Sequence, residues 1–145
     1  MRVDFYQLSR DPAPAVVAML AAKVRQAGER LLVVADDLDL LEATSKALWE
    51  ATPEAFLANG IAGDEHDARQ PILLSNEVDA VNGAQFLLLA DGLWRDPGQG
   101  FARVMMLFDD TTIDGARATW KALGDHEGLE RHFWRQEGGK WREVA

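Results

Sequence analysis

Apolar and polar positions change rhythm along this chain, and the changes spell an alternation of strands and helices. Val3 to Leu8 alternates around Phe5 and runs into the breaker segment Ser9-Arg10-Asp11-Pro12, which predicts a short strand and a helix start. From Pro14, the apolar positions Val16, Val17, Leu20 and Val24 recur at helical spacing until Ala27-Gly28 ends the pattern. Arg30-Leu-Leu-Val-Val-Ala35 then has the uninterrupted apolar character of a parallel strand buried on both faces. Strand, helix and strand in the first 35 residues make a βαβ unit.

The second helix is expected to carry Leu40, Leu41, Ala43, Ala47 and Leu48, with Asp39 as its cap in a D-x-x-E pattern closed by Glu42, and to stop near Thr52-Pro53. Residues 53–70 read as loop, and Ile72-Leu73-Leu74 and Gln85 to Ala90 as two further buried strands. The stretch DGLWRDPGQG precedes a helix expected from about Phe101 to Phe108, and after Asp109-Asp110 another is expected from about Thr112 to Leu123. In the tail, HFWRQ-EGGK-WREVA reads as a hairpin or a final strand, with Gly138-Gly139 supporting a turn. This order predicts one α/β domain over residues 1–145, a Rossmann-like three-layer α/β/α arrangement on a mostly parallel central sheet.

Charge adds what periodicity cannot. The chain carries 15 Lys and Arg against 24 Asp and Glu, net -9, which argues against a general phosphate-binding surface. The excess lies upstream: residues 1–116 hold 9 basic and 19 acidic side chains, whereas residues 117–142 hold 6 basic and 4 acidic, net +2. Three of the five tryptophans, Trp120, Trp134 and Trp141, fall in this positive island. Either the island meets an anionic partner that also has something apolar to bury, or its tryptophans are core and its cations solvated. Within RATWKAL, helical spacing puts Arg117, Trp120 and Lys121 on one face.

Catalytic signatures are sparse. There are no cysteines, which removes disulfides, Cys-based zinc sites and thiol nucleophiles. The sequence has no GxxxxGK[ST], and Ser9-Arg10-Asp11-Pro12 stands where a GxGxxG would follow the first strand. Gly98-Gln99-Gly100 lacks a third glycine and reads as loop, and Asp64-Glu65-His66-Asp67 reads as a solvated acidic turn rather than a metal site. Ser9, Ser45 and Ser75 have neither a GxSxG elbow nor a nearby histidine, and Asp36-Asp37 at a strand end is explained by helix capping. No metal or other cofactor is expected. No apolar run approaches the roughly 18 residues of a membrane span, and MRVDFYQL lacks a signal-peptide pattern, so a cytoplasmic location is expected.

Taken in order, several segments resemble the chi subunit family of bacterial DNA polymerase III. Phe5-Tyr6-Gln7-Leu8 is similar to an FYxL strand, and LLVVADD to the family's second strand and turn. Ala47-Leu48-Trp49 followed by Pro53-Glu54-Ala55-Phe56-Leu57 is similar to an LW...PxxF element. Arg69-Gln70-Pro71-Ile72-Leu73-Leu74, Asn82-Gly83-Ala84-Gln85 and Arg117-Ala-Thr-Trp120-Lys121 resemble its RQPVLL, NGAQ and R-x-x-aromatic-K segments. Two segments depart: Ala58-Asn59 stands in place of Pro-His, and the tail lacks YR-x-x-G.

The resemblance implies a non-catalytic adaptor that binds the acidic C-terminal tail of single-stranded-DNA-binding protein and, through a second surface, the psi subunit that bridges to the clamp loader. It meets nucleic acid only through these partners. Arg117 and Lys121 would receive carboxylates beside Trp120, with Phe108 either an aromatic wall of the pocket or plain core. Trp49 and Phe56 fall at positions similar to the psi-facing region, although Trp49 equally suits closing its helix on the sheet. The competing classes are a nucleotide-dependent or hydrolytic α/β enzyme and a direct single-stranded DNA binder using the tail tryptophans.

Overall fold

The apolar runs pair side by side into one sheet. The computed structural model describes residues 1–51, 56–137 and 139–145. Among these lie eight strands: β1 (Arg2–Gln7), β2 (Leu31–Val34), β3 (Asn59–Ile61), β4 (Ile72–Ser75), β5 (Phe86–Leu89), β6 (Arg103–Phe108), β7 (Glu130–Glu137) and β8 (Lys140–Glu143). Their order across the sheet is β3-β4-β2-β5-β6-β1-β7-β8. Every neighbouring pair is parallel except the β7–β8 hairpin. Three helices, α1 (Ala13–Gln26), α2 (Leu38–Glu50) and α3 (Ile113–Leu123), flank it.

Alternate strand residues feed two cores. On one face Leu31, Val33, Leu74, Leu88 and Met105 pack with Val17 and Leu20 of α1 and Leu41 and Leu48 of α2. On the other, Val3, Phe5, Leu32, Leu87 and Met106 pack with Ala116 and Leu123 of α3. Burial on both faces is why the central strands read as unbroken apolar runs. The connection through α1 carries the chain from β1 past β6 and β5 to β2, while the connection through α3 carries it from β6 past β1 to β7. The chain therefore leaves the adjacent strands β1 and β6 in opposite directions, which opens a crevice at their C-terminal ends.

Three sequence expectations need correction. Residues Phe101 to Phe108 do not form a helix: Arg103–Phe108 is β6, hydrogen-bonded between β5 and β1. Val104 to Phe108 are all buried, and a run apolar on every side suits a central strand as well as a buried helix, so pairing decides. Asn59–Ile61, expected as loop, is the short edge strand β3. The cap of α2 is Asp37, whose carboxylate accepts from the Asp39 backbone N–H at 2.9 Å, and the helix starts at Leu38. The expected stop near Thr52-Pro53 lies outside the described residues, as does Gly138 of the β7–β8 turn.

Among the described residues, one charged group is fully buried. Asp4, in the middle of β1, accepts from Arg2 Nε and Nη2 at 3.0 Å, from Arg103 Nε of β6 at 2.7 Å and from Trp134 Nε1 of β7 at 2.9 Å. Burial alone would raise its pKa, but the hydrogen bonds from Arg2 and Trp134 and the charge of Arg103 outweigh it and hold the carboxyl below its ordinary value. We expect Asp4→Ala to cost about 2 to 3 kcal/mol in urea unfolding at neutral pH, because two guanidinium groups and an indole N–H lose their acceptor. A depressed carboxyl contributes stability above its unfolded value of roughly 3.9 and loses it as pH falls through the lower folded value. The gap between parent and variant should therefore close in acid, and a gap constant down to low pH would contradict the assignment.

Candidate functional site

Helix α3 is positioned from both ends. At its start the Asp109 carboxylate accepts from the Thr111 N–H and Oγ1, the bonds that hold its pKa below the ordinary carboxylate value, and Thr112 Oγ1 accepts from the Asp109 N–H at 3.0 Å. Gly92 lies so close that a Cβ there would stand 2.4 Å from Thr112 Oγ1, and its φ of 76° also favours glycine. Along the helix, Ile113, Ala116, Trp120 and Leu123 turn toward the sheet, which leaves Arg117 and Lys121 exposed on the adjoining stripe. Neither cation has an ion-pair partner among the described residues.

Trp120 is half-buried and held. Its ring lies edge-on to Phe5 at 5.4 Å and to Phe133 of β7 at 5.9 Å. The Arg131 guanidinium sits 4.2 Å from its ring centroid and donates to the Trp120 carbonyl, which is one of the last carbonyls of α3 without a helical partner. One arginine thus closes the helix end and covers the indole. Phe108, considered above as a pocket wall or plain core, is 1 % exposed at the end of β6 with Phe133 packed against it at 5.5 Å. It supports the wall from behind and does not form the surface.

The surface that results contains Arg117, Lys121, Trp120, Arg131 and Phe133. Sequence reasoning missed the last two. Their signal was the period-two pattern Arg131-x-Phe133-x-Arg135, in which a strand presents cation, aromatic and cation on one face. On the other flank of α3 a groove of about 500 Å³ runs between Ala118 and Ala122 of the helix and Trp94 and Pro97 of the β5–β6 connection.

Trp49 and Phe56 lie away from this surface, on and after α2. Trp49 is 60 % exposed and Phe56 84 % exposed, so Trp49 does not close its helix on the sheet. Phe56 is held at φ 46°, a conformation that costs a bulky side chain about 1 to 3 kcal/mol.

The crevice at the ends of β1 and β6, where α/β enzymes bind ligands, is acidic. Asp11, Asp37, Asp91, Asp109 and Asp110 line it against Arg10 alone, so a phosphate would meet mostly like charge. Asp36 and Asp91 are committed to Arg95, each at 2.8 Å. Asp64 and Asp67 bond to backbone N–H groups of their own turn. His132 lies between Glu143 and Glu130, which hold its imidazole above its ordinary pKa. Gly98-Gln99-Gly100 precedes β6, a strand, and not the helix onset a phosphate loop requires.

Arg131→Ala is expected to lower stability by about 1 to 2 kcal/mol through loss of the carbonyl bond and the cation–π contact. Trp120 emission should shift to the red, read as the difference from a Trp120→Phe background; an unshifted spectrum would show that Arg131 does not cover the ring.

No helix among the described residues is long and apolar enough to cross a membrane. The family model described as DNA polymerase III chi subunit, HolC, matches residues 1–131. No curated protein matches the chain.

Proposed function

The chain belongs to the DNA polymerase III chi subunit family, an accessory subunit of the replicative polymerase, and from that premise we propose that it works as a two-sided adaptor. One side takes the acidic C-terminal tail of single-stranded-DNA-binding protein on α3. The other takes the psi subunit and, through it, the clamp loader. The reading treats residues 1–145 as one domain that acts by binding and performs no chemistry of its own, and it is supported by the single sheet in which both β1 and β8 pair.

The observation that carries the tail assignment is the pair of exposed cations Arg117 and Lys121, without ion pairs among the described residues, on a chain whose net charge is -9. Arg131 adds a third positive group at the same place. Carboxylates of the tail would be received by these groups, and the groove beside Ala118, Ala122 and Trp94 supports a place for the tail's apolar end. Exposed charge contacts contribute about 1 kcal/mol or less each, so single-site binding is expected to be weak and salt-sensitive. Several tails on one oligomeric partner would raise the effective affinity.

A synthetic tail peptide titrated into the protein at low salt should bind, and Arg117→Glu with Lys121→Glu should weaken it by about tenfold or more. Absence of binding, or binding indifferent to both charge reversals, would sink the assignment.

For psi, Trp49 and Phe56 supply the large exposed aromatic anchors that interfaces favour. Trp49→Ala and Phe56→Ala should leave thermal stability of the free protein nearly unchanged, because neither ring is buried, while reducing affinity for purified psi by about thirtyfold together. Full retention of psi binding by the double variant would remove α2 and the segment after it from the interface.

A further inference from the structure

The face of the sheet opposite α3 contains a cleft that neither proposed partner uses. It has a volume of about 380 Å³ and lies where α1 passes over β6, β1 and the β7–β8 hairpin. Met19 of α1, Met105 of β6, Trp134 of β7 and Trp141 of β8 form its apolar walls. The Tyr6 ring stacks on Trp134 at 6.1 Å, 10° from parallel, and meets Trp141 edge-on at 5.4 Å. Both tryptophans lie outside the span matched by the family model, which ends at residue 131.

The charged groups of the lining are all cations. Arg2, Lys23 and Arg103 line the cleft, and no aspartate or glutamate does. The nearby carboxylate, Asp4, already accepts from Arg2, Arg103 and Trp134. Tyr6, only 4 % exposed, accepts from Arg103 Nη2 at 2.9 Å through its hydroxyl oxygen, and its own proton has no acceptor among the described residues. Burial pushes this phenol up to about 12, so it keeps that proton at neutral pH. Lys23 has no ion pair among the described residues. A cleft with apolar aromatic walls, an unpaired ammonium and an unspent phenol proton complements a flat apolar body that carries a single anionic, two-oxygen head.

We propose that this cleft binds a small aromatic carboxylate, its ring against Trp134, Trp141 and Met19 and its carboxylate received by Lys23, Arg103 and the Tyr6 hydroxyl. Methionine thioethers on two walls adapt to rings of different shape and make favourable contacts with them. Arg2 and Arg103 already share Asp4 between them, so Lys23 is the one cation of the lining without an ion pair among the described residues, which matches a singly charged head.

The test is titration of the full chain with phenylacetate, following the indole N–H resonances of Trp134 and Trp141, assigned with Trp→Phe variants. The expected result is a saturable shift in the millimolar range, with 2-phenylethanol and acetate each at least about tenfold weaker. Lys23→Met, which removes an exposed and unpaired cation, should weaken phenylacetate about tenfold without lowering Tm. A flat titration, equal binding of phenylethanol, or an unaffected Lys23→Met variant would overturn the proposal. So would an acidic tail peptide that displaces phenylacetate and shifts the same two indoles at lower concentration, since the cleft would then belong to a protein terminus. Charge reversal at Arg117 and Lys121 is expected to leave phenylacetate binding intact, which separates failure here from failure of the adaptor reading.

Discussion

A buried carboxylate holds the structure's most heterogeneous corner together. Asp4 sits in the middle of the first strand and gathers donors from its own strand, from β6 and from β7. Those three strands come from opposite ends of the chain, and their registry otherwise rests on backbone ladders, the Arg103–Tyr6 hydrogen bond and the packing of Tyr6 on Trp134. With the carboxylate in place, Arg2 and Arg103 are drawn in from solvent and Trp134 is turned so that its ring stacks on Tyr6. A neutral apolar residue at this position could pack, but it could not orient two guanidinium groups and an indole at once. The node therefore specifies geometry more than it adds stability, since several of its hydrogen bonds replace bonds to water.

The sheet separates two kinds of surface. On the α3 side, aromatic groups of β1, β6 and β7 are packed so that Trp120 is gripped from beneath by Phe5 and Phe133 and from above by Arg131. Beside the ring stand the exposed cations Arg117 and Lys121. On the α1 side, Trp134 and Trp141 of the β7–β8 hairpin face a concave space beneath the helix. Aromatic shelf and cation-lined hollow thus lie back to back, with β7 contributing alternate residues to each.

Much of this was legible in the chain, for physical reasons that differ from element to element. α1 was plain because Val16, Val17, Leu20 and Val24 keep a helical period between a proline start and a glycine stop. β2, β4 and β5 were plain because only doubly covered strands are so short and so uniformly apolar. β6 was not, since Val-Met-Met-Leu-Phe has no polar residue to mark a period, and its state is set partly by β1, whose paired residues lie 101 positions earlier. The cations of α3 were found from local charge, whereas Arg131 was invisible there: its role depends on β7 crossing under the helix end. Phe108 is plain core, one of the two readings its position allowed, although the element that carries it is a strand and not a helix. Asp4 gave no sign, because in an alternating strand a single acid reads as a solvent-facing residue.

The two margins of the sheet are dissimilar and both are short. β3 contributes three residues, and the Gln70 side chain lies over its Gly60, within 2.7 Å of where a Cβ would stand. β8 contributes four, of which Lys140, Arg142 and Glu143 are charged and exposed. A foreign strand thus finds a blocked ledge at one end and a charged, abbreviated one at the other, and neither is a template for continued pairing. An accessory subunit of DNA polymerase III with such margins is kept from adding copies of itself edge to edge, and the surfaces left open to a partner are helix faces and side-chain pockets.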